Sequence, residues 1–275
     1  MKPNLRAALV VFLSLVGLAA CNSGGGGDGG ESSTPPPAVE IEYFAANDGV
    51  TGYELWKSDG TAAGTVLVKD INTGAGAHSY PYYFTVFNGA VYFQADDGVN
   101  GAELWKSDGT AAGTVLVKDI NPTARASSNP GGFTVFNGTL YFRADDGVNG
   151  YELWKSDGTE AGTVLLKDIY TGAAAHSYPS GFTVFNGALY FQANGGVNGT
   201  ELWKSDGTEA GTVLLKDING SGSSYPGDLT VFNGALYFPA DDGVNGYELW
   251  KSDGTAAGTA LLMDICPGAC DGLSD

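Results

Sequence analysis

The sequence predicts an all-β protein built from five small antiparallel sheets, and three observations predict it. The string Glu-Leu-Trp-Lys-Ser-Asp-Gly-Thr occurs five times, with its tryptophan at Trp56, Trp105, Trp154, Trp203 and Trp250, spaced by 49, 49, 49 and 47 residues. Glycine supplies 43 of 275 residues and charged residues only 16%, against ~7% glycine and ~25% charge in ordinary domains, a balance that favours short strands joined by tight turns. Each repeat also carries the punctuation of four strands: an Asn-Gly hairpin signal, then an Asp-Asp-Gly turn, then an Asp-Gly-Thr turn. A period of about 40 to 50 residues with four strands per repeat is the signature of a β-propeller.

The third repeat shows the parse. Residues 133–136 read Phe-Thr-Val-Phe, Asn137 and Gly138 turn the chain, and Thr139 to Ala144 form the second strand. A turn over 145–150 leads into Tyr151 to Ser156, and a turn over 157–162 leads into Thr163 to Ile169. Runs such as Thr-Val-Leu-Leu-Lys-Asp-Ile are apolar at successive positions, so both faces of each sheet must be covered. Radially stacked blades do this, and about twelve residues, such as 170–181, carry the chain from the outer edge of one blade to the inner edge of the next. The first repeat departs from the pattern. Val39 to Phe44 aligns with the second strand of the other repeats, and only ten residues follow Ile265. Nineteen strands are visible where five complete blades need twenty. The expectation is therefore a five-bladed propeller of four-stranded blades over 39–275 whose first blade is incomplete, closed imperfectly or by tether residues or another chain.

The amino-terminal residues have a different character. Lys2 and Arg6 precede an apolar run over 7–17, too short to span a bilayer, and Leu18, Ala19, Ala20 and Cys21 follow at once. This is the order of a secretory signal peptide, expected over 1–20. The Leu-Ala-Ala-Cys string resembles the lipobox of bacterial lipoproteins, which implies that Cys21 is acylated and becomes the first mature residue. Asn22 after the cysteine implies, by the same resemblance, a lipid-anchored place in the cell envelope at the outer membrane. Residues 21–38 then form a flexible Gly/Ser tract and a stiffer proline run, a tether. The two remaining cysteines, Cys266 and Cys270, are expected to form a small disulfide loop, with a free dithiol or a metal site as the alternatives.

All five copies of the repeated string, Glu54 to Thr61, Glu103 to Thr110, Glu152 to Thr159, Glu201 to Thr208 and Glu248 to Thr255, are followed by Ala-Gly-Thr. In this they resemble the bacterial ELWxxDGT repeat proteins. The Ser-Asp-Gly-Thr turn is also similar to the Asp-box of sialidase-type propellers, which caps the turn between the third and fourth strands of a blade. Both resemblances imply a fold, and neither brings catalytic residues with it.

The candidate sites follow from what recurs. Asp59, Asp108, Asp157, Asp206 and Asp253 sit in the repeated turn and are expected to be structural, accepting backbone N–H groups. Asp96, Asp97 and Asn100, with their counterparts Asp145, Asp146, Asn149 and Asp241, Asp242, Asn245, cluster oxygens near glycine as Ca²⁺ loops do, which makes calcium a possible ligand. His78 and His176 occupy the same loop position in two repeats, too far apart to share a metal. Tyr80, Tyr178 and Tyr225 recur before proline in these loops and, with the two histidines, are the candidate ligand contacts.

A net charge of −18 with no basic cluster excludes nucleic acid as a partner and leaves membrane attachment to the lipid. An active site needs unlike groups tuned differently, whereas these repeats copy nearly every polar residue; Asp228 is the one obviously repeat-specific carboxylate. The expectation is a non-enzymatic, multivalent binding module for glycans or envelope proteins, since identical weak sites gain avidity on a polymer. A structural scaffold in an outer-membrane assembly is the alternative, and a glycoside hydrolase ranks behind both.

Overall fold

The computed structural model describes residues 12–14, 40–220 and 222–273. Among them are twenty strands and no helix, arranged as five four-stranded antiparallel sheets. Blade 1 comprises β1 (Phe12–Ser14), β2 (Glu40–Asn47), β3 (Tyr53–Ser58) and β4 (Val66–Lys69); blade 2 comprises β5 (Tyr82–Phe87), β6 (Ala90–Asp96), β7 (Ala102–Ser107) and β8 (Val115–Lys118). Blade 3 comprises β9 (Gly131–Phe136), β10 (Thr139–Asp145), β11 (Tyr151–Ser156) and β12 (Val164–Lys167). Blade 4 comprises β13 (Ser180–Phe185), β14 (Ala188–Asn194), β15 (Thr200–Ser205) and β16 (Val213–Lys216), and blade 5 comprises β17 (Thr230–Phe232), β18 (Ala235–Asp241), β19 (Tyr247–Ser252) and β20 (Ala260–Met263). The chain is thus an all-β, five-bladed propeller-like fold.

The hairpin between β9 and β10 shows why these residues make these turns. Asn137 and Gly138 have φ of 48° and 70°, the positive values that a two-residue turn matching strand twist requires. The place that the sequence leaves empty in blade 1 is filled by β1, whose backbone pairs Phe12 with Glu42, Leu13 with Ile41 and Ser14 with Glu40. Blade 1 is therefore completed from residues 12–14 rather than from the tether or another chain as expected. Cys21 and the tether over 21–38 lie outside the described residues. At the other end Cys266 and Cys270 form a disulfide, with Cα atoms 5.7 Å apart.

Each blade interface is one apolar cluster built from alternate sides of the two sheets. Between blades 2 and 3, Phe87, Tyr92, Leu104, Val117 and Ile120 meet Leu140, Phe142, Ala144 and Trp154. The same residues recur between blades 1 and 2, 3 and 4, and 4 and 5. Leu55, Leu104, Leu153 and Leu202 therefore pack on the following blade, and Trp105, Trp154, Trp203 and Trp250 on the preceding one. Lysine stems cross the same interfaces: Lys57 Nζ donates to Gly109 O at 2.8 Å, Lys106 to Gly158 O at 2.8 Å and Lys155 to Gly207 O at 3.1 Å.

The first residue of the motif does something the sequence did not disclose. Glu54, Glu103, Glu152, Glu201 and Glu248 are fully buried. In blade 3 the Glu152 carboxylate accepts N–H of Ile169 at 2.7 Å, N–H of Ser177 at 2.9 Å and the Ser177 hydroxyl at 2.6 Å. It thereby ties the end of β12 to the link that starts blade 4. Burial pushes the carboxyls of Glu103 and Glu152 up to about 7, against the opposing pull of these hydrogen bonds and with a small contribution from Asp119 and Asp168.

A carboxyl that holds its proton more tightly folded than unfolded adds stability that is fully present below its ordinary value near 4.5 and is lost as pH rises through about 7. The thermal midpoint should therefore be higher at pH 5 than at pH 8. Glu103→Gln cannot ionise and turns its amide N–H groups toward one of the two backbone donors, Ile120 N–H or Ser128 N–H, so it should lower the midpoint, by roughly 1–3 kcal/mol in stability, while flattening the pH dependence. A midpoint that rises from pH 5 to pH 8 in the native chain would contradict the assignment.

Candidate functional site

The links between blades are positioned by the buried glutamates and by one further contact each. In the link before blade 2, His78 Nδ1 accepts the Tyr53 N–H at 2.9 Å, and in the link before blade 4, His176 Nδ1 accepts the Tyr151 N–H at 2.9 Å. Ser127 Oγ, Ser223 Oγ and Asp271 Oδ1 take the same part toward Ala102, Thr200 and Tyr247. Both histidines thus hold loops through an acceptor nitrogen, and each ring also touches the tyrosine two residues on, with centroids 5.0 Å apart for His78 and Tyr80 and 5.1 Å for His176 and Tyr178.

That tyrosine position is strained. Tyr80, Tyr178 and Tyr225 have φ of 44°, 46° and 45°, and the blade 3 counterpart is Asn129 at 44°. Asparagine and glycine adopt this left-handed backbone readily; a tyrosine there costs on the order of 1 kcal/mol. Two of the strained tyrosines stand on a second ring: Tyr178 stacks on Tyr151 with centroids 5.2 Å apart and planes 24° apart, and Tyr80 on Tyr53 at 5.9 Å and 21°.

Two cups of the same construction open where these links run. The first, about 560 Å³, lies between blades 2 and 3 and is walled by Tyr82, Tyr83, Gln94, Asn129, Arg143, Tyr151 and Tyr178. Tyr83 reaches it from blade 2 because Gly131 has no side chain; a Cβ there would stand 3.1 Å from the ring. The second, about 1090 Å³, lies between blades 4 and 5 at the equivalent positions, with Gln192 in the place of Gln94, Pro239 in that of Arg143, Tyr247 in that of Tyr151 and the tail around Asp271 in that of Tyr178. Tyr225 and Asp228 complete its wall. A third cavity of about 380 Å³ runs between the innermost strands of blades 2 to 5, past Thr85, Thr134, Thr183 and Asp228. Of the tyrosines singled out from the sequence, Tyr178 and Tyr225 face cups. Tyr80 stacks on Tyr53 and faces none of the three cavities.

The other candidate residues are engaged with their own loops. Asp97 Oδ1 accepts the N–H groups of Val99 and Asn100, its second oxygen takes the Asn100 amide at 2.8 Å, and Asp96 caps Gly98. Asp145, Asp146 and Asn149 repeat this pattern, as do Asp241, Asp242 and Asn245. Among the described residues no three His, Cys, Asp or Glu side chains come together in a set that could hold a metal ion, so the calcium expectation gains no ligand set. Asp59 Oδ1 accepts N–H and hydroxyl of Thr61, as Asp108, Asp157, Asp206 and Asp253 do in their own turns, and these hydrogen bonds hold all five carboxyls below the usual range.

What sequence reasoning missed is the cup wall contributed by the second strand. The available signal was one position that the repeats do not copy: Ala45, Gln94, Arg143, Gln192 and Pro239 are equivalent.

No family model matches the chain, and no curated protein does. Solved structures do. A puromycin hydrolase is similar with a TM-score of 0.53 at 15% identity, over 85% of this chain and 36% of that one. Its S511A mutant complexed with PGG gives 0.51 at 15%, over 80% and 34%. TolB from Acinetobacter baumannii gives 0.46 at 13%, over 81% and 52%. The chain thus spans about a third of the length of the hydrolase, over its propeller. At this identity the likeness concerns the fold alone.

Proposed function

We propose that this chain is a lipid-anchored cell-envelope protein whose propeller is a non-catalytic binding module for glycans. The observation that carries the reading is the pair of equivalent cups walled by tyrosine rings, with Tyr83 and Tyr178 in one and Tyr225 in the other held in a left-handed backbone that asparagine adopts more readily. Flat aromatic faces beside planar amides suit the apolar faces and hydroxyl edges of sugar rings, because a tyrosine offers a large rigid surface with a polar tip. The carboxyls pushed furthest from their ordinary range, Glu103 and Glu152, hold the protein's own backbone, which favours binding over acid–base chemistry. The Leu-Ala-Ala-Cys string supports anchoring through Cys21, with residues 22–38 as the tether. Removal of the leader would take β1 with it and leave Glu40–Glu42 as a sheet edge.

Two measurements test this reading. Binding of the full chain to an immobilised polysaccharide should weaken about fivefold for Tyr178→Ala or Tyr225→Ala, the effect of roughly 1 kcal/mol, and far more for the double variant, because two cups on one polymer multiply. Equal losses in the single and double variants would point to one site; no loss in either would end the reading. Cys21→Ser should leave an uncleaved precursor or release the protein from membranes, and mature-sized protein that stays membrane-bound in high salt would refute the lipid anchor.

A further inference from the structure

The two cups share a design and differ in charge. Seven lysines among the described residues bond to backbone carbonyls across blade interfaces, whereas the Arg143 guanidinium has neither a hydrogen bond nor an ion pair. In a chain of net charge −18, a half-buried arginine without a carboxylate partner is a group kept for something else. Gln94 beside it is likewise without a side-chain partner, whereas Gln192 in the other cup donates to Ser180 Oγ at 3.0 Å. The other cup has Pro239 where Arg143 stands and is lined by Asp228, Asp241 and Asp271.

We propose that the cup between blades 2 and 3 takes an acidic sugar unit, its ring against the tyrosines and its carboxylate on the Arg143 guanidinium. The proposal rests on the reading of the cups as sugar sites. Guanidinium and carboxylate are matched planar groups that form two parallel hydrogen bonds, and Gln94 supplies a donor and an acceptor for neighbouring hydroxyls. The acidic cup between blades 4 and 5 rejects the same ligand by like charge.

An array of uronate-containing, sialylated, sulfated and neutral glycans tests it with the full chain. Carboxylate-bearing glycans should bind more tightly than their neutral counterparts, and their binding should fall at least about tenfold in Arg143→Gln, as expected for losing hydrogen bonds to a charged group. Glutamine stands at this position in blades 2 and 4, so the variant keeps the fold, and circular dichroism checks it. Binding of carboxylate-bearing glycans that is unchanged in Arg143→Gln, or no tighter than binding of neutral ones, would overturn the acidic assignment and leave the sugar reading standing. Binding only to sulfated glycans would also overturn it. Absence of any glycan binding would overturn both.

A separate observation concerns the two ends of the array. Four apolar clusters join successive blades, and among the described residues none joins blade 5 to blade 1. Phe232 is 60% exposed where Phe87, Phe136 and Phe185 are 3–4%, and Leu262 is 49% exposed where Val68, Val117, Leu166 and Leu215 are 5–7%. On blade 1 the matching face is open too: among the described residues nothing comes within 4 Å of where a Cβ on Gly60 would stand, whereas Gly109, Gly158, Gly207 and Gly254 each lie against a tyrosine hydroxyl of the preceding blade.

We infer that blade 5 of one copy packs on blade 1 of a second copy, head to tail. The occupant follows from the repeat itself: on blade 1 Phe44, Ala46 and Trp56 stand where Phe142, Ala144 and Trp154 meet the preceding blade, with Glu42 in the place of Leu140, and on blade 5 Phe232, Tyr237 and Leu249 stand where Phe87, Tyr92 and Leu104 do, with Tyr237 poised for Gly60 of the next copy. Such a contact closes into a ring or runs on as a filament, according to its rotation. Light scattering on the purified full chain should show a mass that grows with concentration from the 28.3 kDa monomer to dimers and beyond. Phe232→Glu should hold it at the monomer with an unchanged circular dichroism spectrum. A native chain that stays monomeric at every concentration, or a variant that associates as the native chain does, would overturn the inference.

Discussion

The structure depends on five buried carboxylates. Each begins a Glu-Leu-Trp on the third strand of its blade and accepts backbone N–H from the isoleucine 17 positions on, two residues past the end of the fourth strand. Four of them reach further, to backbone N–H and hydroxyl of a serine in the next link, as Glu54 does with Ile71 and Ser79. A backbone turning from one sheet to the next has donors that no sheet partner satisfies, and leaving them unpaired in a dry site costs ~1–3 kcal/mol each. The glutamate satisfies them and at the same time fixes the direction in which the chain leaves the blade. Leucine and tryptophan, the next two residues, face opposite sides of the sheet and pack on opposite neighbours. Three consecutive residues thus set the link, one interface and the other. This accounts for their recurrence as a unit, and for why the loops bearing Tyr80, Tyr178 and Tyr225 share one backbone geometry.

A repeat that solves the fold five times leaves function to the positions where copies disagree. The second strand of each blade has one such position, occupied by Ala45, Gln94, Arg143, Gln192 and Pro239, and the first strand has another, where Tyr82 and Tyr83 stand against Gly131 and Gly132 or Ser180 and Gly181. These residues converge because the inner two strands of a blade and the link that follows it share one end of the sheet. The glycines are part of the same arrangement, since the missing side chain at Gly131 is what lets Tyr83 lie across to the neighbouring blade. Difference at one position is therefore compensated by smallness at another.

Periodicity made the blades, their strands and their turns legible, because the Asn-Gly and Asp-Gly signals report local backbone requirements that five copies state in unison. The same unison hid the buried glutamates: a charged residue in every copy of a motif reads as an exposed one until the strand is seen to be covered on both faces. The lysine contacts to Gly109, Gly158 and Gly207 were invisible for a related reason, being bonds between repeats, 52 residues apart. β1 could not be found by pattern, since Phe12–Ser14 carries none of the Phe-Thr-Val-Phe sequence. Nothing in the sequence marked the acceptor nitrogen with which His78 and His176 each hold a neighbouring backbone N–H, a bond that spans 25 residues.

The charge of the chain and the charge of Arg143 act at different ranges. A net −18 repels an acidic polymer as it approaches, but at physiological ionic strength exposed charges are screened beyond ~8 Å, and long-range charge governs mainly how fast partners meet. Contact inside a half-buried cup is screened less, so the arginine acts chiefly on how slowly a seated carboxylate leaves. Slow arrival with local retention gives modest affinity at one cup, and a tethered protein gains from repetition instead. If copies join through their open ends, the cups between blades 2 and 3 recur at a fixed spacing set by the same interface that spaces the blades. A polymer seated in one cup then meets the next at high effective concentration, so that the packing rule of the repeat would determine which polymers are held as well as how the protein folds.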